Sequence, residues 1–332
     1  MTRSPPDLLD PQILDRVRGL SLVARRVTDG VLHGLHRSRH RGLSTDFAQH
    51  RAYTPGDELK HLDWQVLARS DRLVIKQYQQ ETNLRALLLL DCSASMNYAG
   101  EDAGISKPDI SKPETRNSKL AYAQRLAACL AHLLLHQGDS VGLSLLRDNI
   151  VDQQQLPGAV PGAGVPPRAS PGHILSICHA LINASPAGTT HIPAALLQLA
   201  SRLKRRSVII LISDLFDDPD AVLAALGQLH HRGHEVIVFQ ILDPRELDFD
   251  FDKQLPGAGA GVTVIRDMET GSEFHAEPHL IRHLVQQQIQ NFCDTLDAGA
   301  RSRGLHLLRC TTHTDLGLML SQYLHHRAQG AK

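Results

Sequence analysis

The stretch Leu84-Arg85-Ala86-Leu87-Leu88-Leu89-Leu90-Asp91-Cys92-Ser93-Ala94-Ser95-Met96 decides how this chain is read. Leu87 to Leu90 is a continuous apolar run, as in a parallel strand buried on both faces. A carboxylate and two hydroxyls follow at alternate positions, just where that strand should end. Neutral hydroxyls beside one acid make a poor general acid/base pair. They make a good oxygen cage for a small hard cation such as Mg²⁺.

Working outward, strands and helices alternate. Ser118 can cap a helix whose Leu120, Ala123, Ala127, Leu130 and Leu134 share one side, with Gly138 ending it. Val141 to Leu146 reads as the next strand and Ile150 to Leu156 as an edge strand. Helices follow near 172–182 and 192–204. Ser207 to Ile212 is a second fully apolar strand, then come a helix over 221–231 and a strand over 235–242. A Gly-rich link at 256–261 leads to a short strand, Val262 to Ile265. A long helix near 278–302, a strand at 305–309 and a helix near 315–327 close the pattern. This order predicts an α/β fold: an open, mostly parallel, Rossmann-like sheet with helices on both faces and a smaller N-terminal segment. The expected division is 1–83 and 84–330.

In the N-terminal part, residues 10–28 read as an amphipathic helix, with Asp10 as cap and Pro11 in the first turn. Thr54-Pro55-Gly56-Asp57 fits a type II turn, after which Asp57 can cap a short helix through His61 to Trp64. Leu73 to Tyr78 is an expected strand. Trp64, the single tryptophan, reads as a core anchor, and Arg51, Asp57 and Asp63 as a buried ion network or a partner surface. Two inserts stand apart. Residues 97–117 hold a short duplication, ISKPD followed by ISKPE, and read as a loop beside the Ser95-Met96 corner. Residues 156–172 are rich in Pro and Gly and read as a surface linker.

In an open α/β sheet, ligands sit outside the carboxyl ends of strands where strand order reverses. Asp91 ends one apolar strand, and Asp214 ends another in Leu211-Ile212-Ser213-Asp214. Gly188-Thr189-Thr190-His191-Ile192 is a loop just before a helix, with a hydroxyl in reach of the same edge. Asp91, Ser93, Ser95, Thr190 and Asp214 are thus five oxygen-bearing side chains at expected strand ends. Mg²⁺ suits them, with Mn²⁺ or Ca²⁺ as alternatives, because hydroxyls bind a cation without cancelling its charge. Such an ion could accept a carboxylate from another protein.

This constellation resembles the von Willebrand factor A domain and its metal-ion-dependent adhesion site. The resemblance implies metal-ligand roles for Asp91, Ser93, Ser95, Thr190 and Asp214; Thr190 is preferred to Thr189 because the spacing from Thr190 to Leu196 is similar to the family's. His191 stands where that family has Asp or Asn. Arg51-Ala52-Tyr53-Thr54-Pro55-Gly56-Asp57, Leu62-Asp63-Trp64, Ala68-Arg69, Val74-Ile75-Lys76 and Glu81 resemble the bacterial family called domain of unknown function 58. Its members fuse this segment to an A-type domain. The resemblance implies a Mg²⁺-dependent adaptor without enzymatic activity, partnered by a MoxR-type AAA+ ATPase in chaperone-like assembly or maturation.

Composition narrows the alternatives. The chain has 332 residues, 42% hydrophobic and 21% charged, with 35 basic and 35 acidic side chains. Balanced charge and 4% aromatics argue against nucleic-acid binding through Arg37, Arg39 and Arg41. No apolar stretch approaches the roughly 20 residues needed to span a bilayer. With no apolar signal core in Met1 to Asp10, the expectation is a cytoplasmic protein. The five cysteines form no CxxC pair and read as reduced and buried. His132 and His136 lie at i, i+4, but no Glu follows His132 as in HExxH, so they read as a solvated helix face. A metal-dependent phosphohydrolase is the enzymatic alternative. Ser93 replaces the second acid that aspartyl-phosphate chemistry would want, and no phosphate loop or nucleophile elbow appears.

Overall fold

A computed structural model describes residues 20–29, 46–54, 62–79, 84–99, 118–147, 164–170, 172–186, 188–249, 263–266, 268 and 271–330. The chain divides into two compact units, 32–84 on one hand and 1–31 with 85–332 on the other.

In the smaller unit, β1 (Asp46–Ala52) pairs antiparallel with β2 (Val74–Gln79). Helix α2 (Trp64–Ser70) lies between them in sequence. Asp63 caps it, accepting from the amides of Gln65 (3.0 Å) and Val66 (3.2 Å), which satisfies two of the helix's orphan donors. The expected helix through His61 to Trp64 is therefore corrected. Leu62 bridges to Ile75 instead, and the helix begins where the sequence reading ended it. Pro55, Gly56 and Asp57 lie outside the described residues, as does the Arg51 side chain. Trp64 is 61% exposed and so is not the core anchor expected of it; it opens a short helix with no buried residue, while Leu62 and Ile75 are the buried side chains beside it in this unit.

The larger unit is built on a six-stranded sheet in the order β10-β7-β6-β3-β4-β5. Its strands are β3 (Arg85–Asp91), β4 (Ser140–Leu146), β5 (Gly164–Arg168), β6 (Val208–Ser213), β7 (Glu235–Leu242) and β10 (His306–Thr311). All neighbours are parallel except β5, which runs antiparallel to β4 at the edge. The chain winds outward from β3 to β5, then returns to β6 and winds the other way. This is the doubly wound order, whose ligand crevice opens where the winding reverses, here between β3 and β6. The expected α/β architecture is the one observed.

Two helical layers cover the sheet. One face buries Leu87, Leu89, Ile209, Leu211, Val236 and Val238 against α5 (Ile192–Arg202), α6 (Pro219–His231) and α8 (Pro278–Ser302). Alternate residues point to the opposite face, where α3 (Lys119–His136) lies between α4 (His173–Ile182) and α9 (Leu316–Gly330). Helix α3 is buried on nearly every side. Helix α1 (20–29) joins it: Thr28 Oγ1 donates to the Ala24 carbonyl of its own helix at 2.7 Å and lies 3.5 Å from the Cys129 carbonyl of α3, and Leu20 and Ala24 are fully buried. Short α7 (Pro244–Asp248) follows β7, and β8 (Thr263–Arg266) with β9 (Glu273–Ala276) forms a separate antiparallel pair.

The expected surface linker over 156–172 is a second correction. Residues 150–156 lie outside the described residues, and the pairing strand is Gly164–Arg168, inside the expected linker. Pro166 and Pro167 lack N–H donors, but they fall at the register break between Val141 and Leu143. Proline is tolerated at just such an edge-strand irregularity.

Candidate cation site at the carboxyl ends of β3 and β6

Asp91 is the last residue of β3 and is buried. Its Oδ1 accepts the Ser93 amide at 2.9 Å and its Oδ2 accepts the Ser213 hydroxyl at 2.6 Å. Ser213 ends β6, so one short hydrogen bond ties the two strand ends together. Ser213 Oγ in turn accepts the amide of Leu215 at 2.9 Å. That bond holds Leu215 at φ 63°, a left-handed conformation that costs a side-chain-bearing residue of order 1–3 kcal/mol.

After β3 the chain turns through a 3-10 segment, Ala94–Asn97. The Ser93 and Ser95 hydroxyls lie 2.9 Å apart. The amide of Ala94 donates to the Gly188 carbonyl at 2.9 Å. This joins the Ser turn to the loop that carries Thr190. Thr190 is buried, and its Oγ1 has no hydrogen-bond partner among the described residues. An unsatisfied buried hydroxyl costs about 1–3 kcal/mol, so this oxygen calls for a partner that the described protein groups do not supply.

Asp214, directly after β6, is buried as well. Its Oδ1 accepts the Phe216 amide at 3.3 Å. Its Oδ2 is engaged by a residue that sequence reading missed: Lys119 Nζ donates to it at 2.8 Å and to Glu246 Oε1 at 2.6 Å. Lys119 is wholly inaccessible and sits in the first turn of α3, at the end where a helix dipole disfavours a cation. Burial also opposes its charge, yet the two carboxylates hold its pKa above the ordinary lysine value. The ring of Phe216 lies 4.8 Å from the same ammonium.

Glu246 belongs to a capping box in α7, where its Oε2 accepts the Asp243 amide at 2.9 Å. The sequence signal for it was present in Asp243-Pro244-Arg245-Glu246, an acid-Pro-x-Glu helix start. No comparable signal marked Lys119.

Asp214 and Glu246 hold the one ammonium, and Asp91 lies beside Asp214, so with all three acids ionised these four groups sum to two negative charges. Burial, and then the Asp214 charge beside it, push the Asp91 carboxyl up to about 6. A divalent cation would balance the cluster. The groups that could hold one are the hydroxyls of Ser93, Ser95 and Thr190, with Asp91 and Asp214 behind them, an all-oxygen set suited to Mg²⁺. Among the described residues no group of three or more His, Cys, Asp or Glu could hold a metal, so a site here depends on the hydroxyls. The rings of His132 and His136 lie 6.4 Å apart on α3, and among the described residues they form no such group.

Comparison with known proteins gives the lineage. The chain belongs to the family described as protein of unknown function DUF58, which it matches over residues 49–291. That span holds both the Arg51–Trp64 motif and all five oxygen-bearing residues. The chain is 28% identical over 335 residues to uncharacterized protein Rv1480 of Mycobacterium tuberculosis and to uncharacterized protein Mb1516 of Mycobacterium bovis. The match covers 98% of this chain and 95% of each relative. Among solved structures it is similar to the conserved hypothetical protein BatB from Bacteroides thetaiotaomicron, at 15% identity and TM-score 0.41 over 74% of this chain and 99% of that one. The VWA domain of SpRpn10 is similar at 15% identity and TM-score 0.35, over 71% and 92% of the two chains.

Proposed function

We propose that this chain is a protein-interaction adaptor, not an enzyme, that holds a divalent cation, Mg²⁺ first, at the carboxyl ends of β3 and β6. Ser93, Ser95 and Thr190 would hold the ion with Asp91, and Asp214 would support it from behind. The bound ion would supply a charged docking point for a carboxylate on a partner protein. The observation that carries this reading is Thr190 Oγ1, buried and unpartnered in the loop tied to the Ser93–Ser95 turn. The excess of carboxylates over the one lysine among Asp91, Asp214, Glu246 and Lys119 points the same way.

A MoxR-type AAA+ ATPase remains the proposed partner, through the family resemblance of the Arg51–Trp64 motif. A cytoplasmic setting accords with five free, buried cysteines, and no helix among the described residues is long and apolar enough to cross a membrane.

Thermal unfolding in EDTA and in Mg²⁺ tests the ion. A ligand that binds only the native state raises stability with its concentration, by about 2.7 kcal/mol at a hundred times Kd. The wild type should show this rise. Thr190→Val should lose it while melting no earlier than wild type in EDTA, because the change removes an unsatisfied hydroxyl. A wild-type melting curve indifferent to Mg²⁺ and Mn²⁺ rejects the site. Capture of a MoxR-type ATPase should need Mg²⁺ and fail for Asp91→Ala; capture that persists in EDTA rejects the docking role.

A further inference from the structure

Beside the strand-end oxygens lies an open cleft of about 270 Å³. Its walls are Tyr98, Phe216, Phe249, Met268, Val285 and Ile289. Ser95 and Glu246 line it too. One of the candidate cation-holding residues, Ser95, thus lines a largely apolar cleft. We propose that this cleft receives a large apolar side chain from the same partner segment that presents the acid. The proposal deepens the proposed function and rests on it, because the cleft and the cation site share Ser95.

Three observations commit the cleft to a protein side chain. Its volume lies at the low end of the roughly 300–1,000 Å³ of small-molecule sites and accommodates one large side chain. It is open rather than closed: Phe216 is 37% exposed and Met268 42% exposed. Exposed apolar groups rimmed by polar ones are a mark of interaction surfaces. Third, its principal wall is stiffened before any partner arrives. Phe216 lies 4.8 Å from the Lys119 ammonium and 5.7 Å from the Phe292 ring. Its amide is held by Asp214. A preorganised aromatic wall lowers the ordering cost of binding, as expected where a partner's anchor residue docks.

The recognised element is therefore an acid with a large apolar residue next to it or one residue away. An acid alone would engage the cation site and leave the cleft unfilled.

Random linear peptides displayed on phage, selected on the immobilised full chain in Mg²⁺ and in parallel in EDTA, test this. In Mg²⁺ the enriched peptides should pair Asp or Glu with a nearby Phe, Trp, Leu, Ile or Met, and the EDTA arm should not enrich them. Val285→Trp, which fills the cleft, should keep the acid preference and lose the apolar one. It should weaken the best selected peptide about tenfold or more, as loss of a buried anchor does. Phe216→Ala should act in the same direction. Enrichment of acids with no apolar preference overturns the cleft and leaves the cation reading standing. Apolar enrichment without an acid, insensitive to EDTA, overturns both. No enrichment in either buffer overturns the peptide occupant. Competition by free phenylacetate as strong as by the peptide overturns it in favour of a small amphiphilic acid.

Discussion

Lys119 shows how much of this site is decided by a single side chain. Its ammonium sits between Asp214 and Glu246 at 2.8 and 2.6 Å with no access to water. Removing one partner from such a cluster leaves charge buried without compensation and costs about 3–5 kcal/mol. Lys119→Met should therefore lower metal-free stability by roughly that amount in urea unfolding. Adding Glu246→Gln to it should recover part of the loss. The same substitution removes a positive charge beside the proposed ion, so Mg²⁺ affinity by calorimetry should rise while stability in EDTA falls. A parallel fall in both would mean that Lys119 only supports the fold. The hydroxyls and acids of the site were legible because strand ends announce themselves in sequence: Leu87–Leu90 runs into Asp91, and Leu211–Ser213 into Asp214. Lys119 was not legible because a lysine beside the helix cap Ser118 reads as an exposed surface residue. Only the return of β6 and α7 over the start of α3 surrounds it with carboxylates. Ser213 stood in the quoted strand, but its bond to Asp91 spans 122 residues and leaves no local pattern.

At the level of elements, apolar continuity and caps carried the reading. Helix α3 begins at the expected Ser118 cap, whose hydroxyl accepts the Ala121 amide at 3.1 Å, and Gly138 follows it at φ 84°. Helix α8 spans 278–302 as its pattern required. Edge strand β5 was misread because composition dominated: Gly-Val-Pro-Pro-Arg has the residues of a linker. An edge strand needs ladder bonds on one side only, and the prolines sit where the register skips. Two glycines make this pairing possible. A Cβ on Gly142 would lie 2.7 Å from Pro167 Cγ, and one on Gly164 would collide with the Leu143 carbonyl oxygen. Gly164→Ala meets backbone that cannot step aside, whereas Gly142→Ala meets a ring at the sheet edge. Both should destabilise, on the scale of about 1–3 kcal/mol for overpacking, with Gly164→Ala the worse. Urea midpoints would rank them; the reverse order would show that β5 can slide along β4 at little cost.

Across the whole molecule, the alternation of strand and helix was enough to specify an open sheet, and the chain's return from β5 to β6 placed the crevice between Asp91 and Asp214. What alternation does not encode is how the far ends of the strands are tied. That task falls to His234, at the opposite edge of the sheet from the candidate site. It is 4% exposed, and its Nδ1 accepts the Ser207 amide at 3.2 Å just before β6. The next residue, Glu235, donates its amide to the Ser207 carbonyl at 3.1 Å, so the starts of β6 and β7 are laced together. Only an imidazole without a proton on Nδ1 can accept that bond. Burial, and then the Arg232 charge nearby, lower the His234 pKa from its ordinary 6.5. A depressed folded-state value means that the neutral ring's contribution is complete above the unfolded value near 6.5 and is lost as pH falls through the folded value. Global stability in urea should therefore decline as pH falls below about 6.5. His234→Gln, which cannot take up the proton, should show a flatter profile over that window. Equal slopes for the two proteins would remove His234 from the account and leave the acid limb to the carboxylates alone.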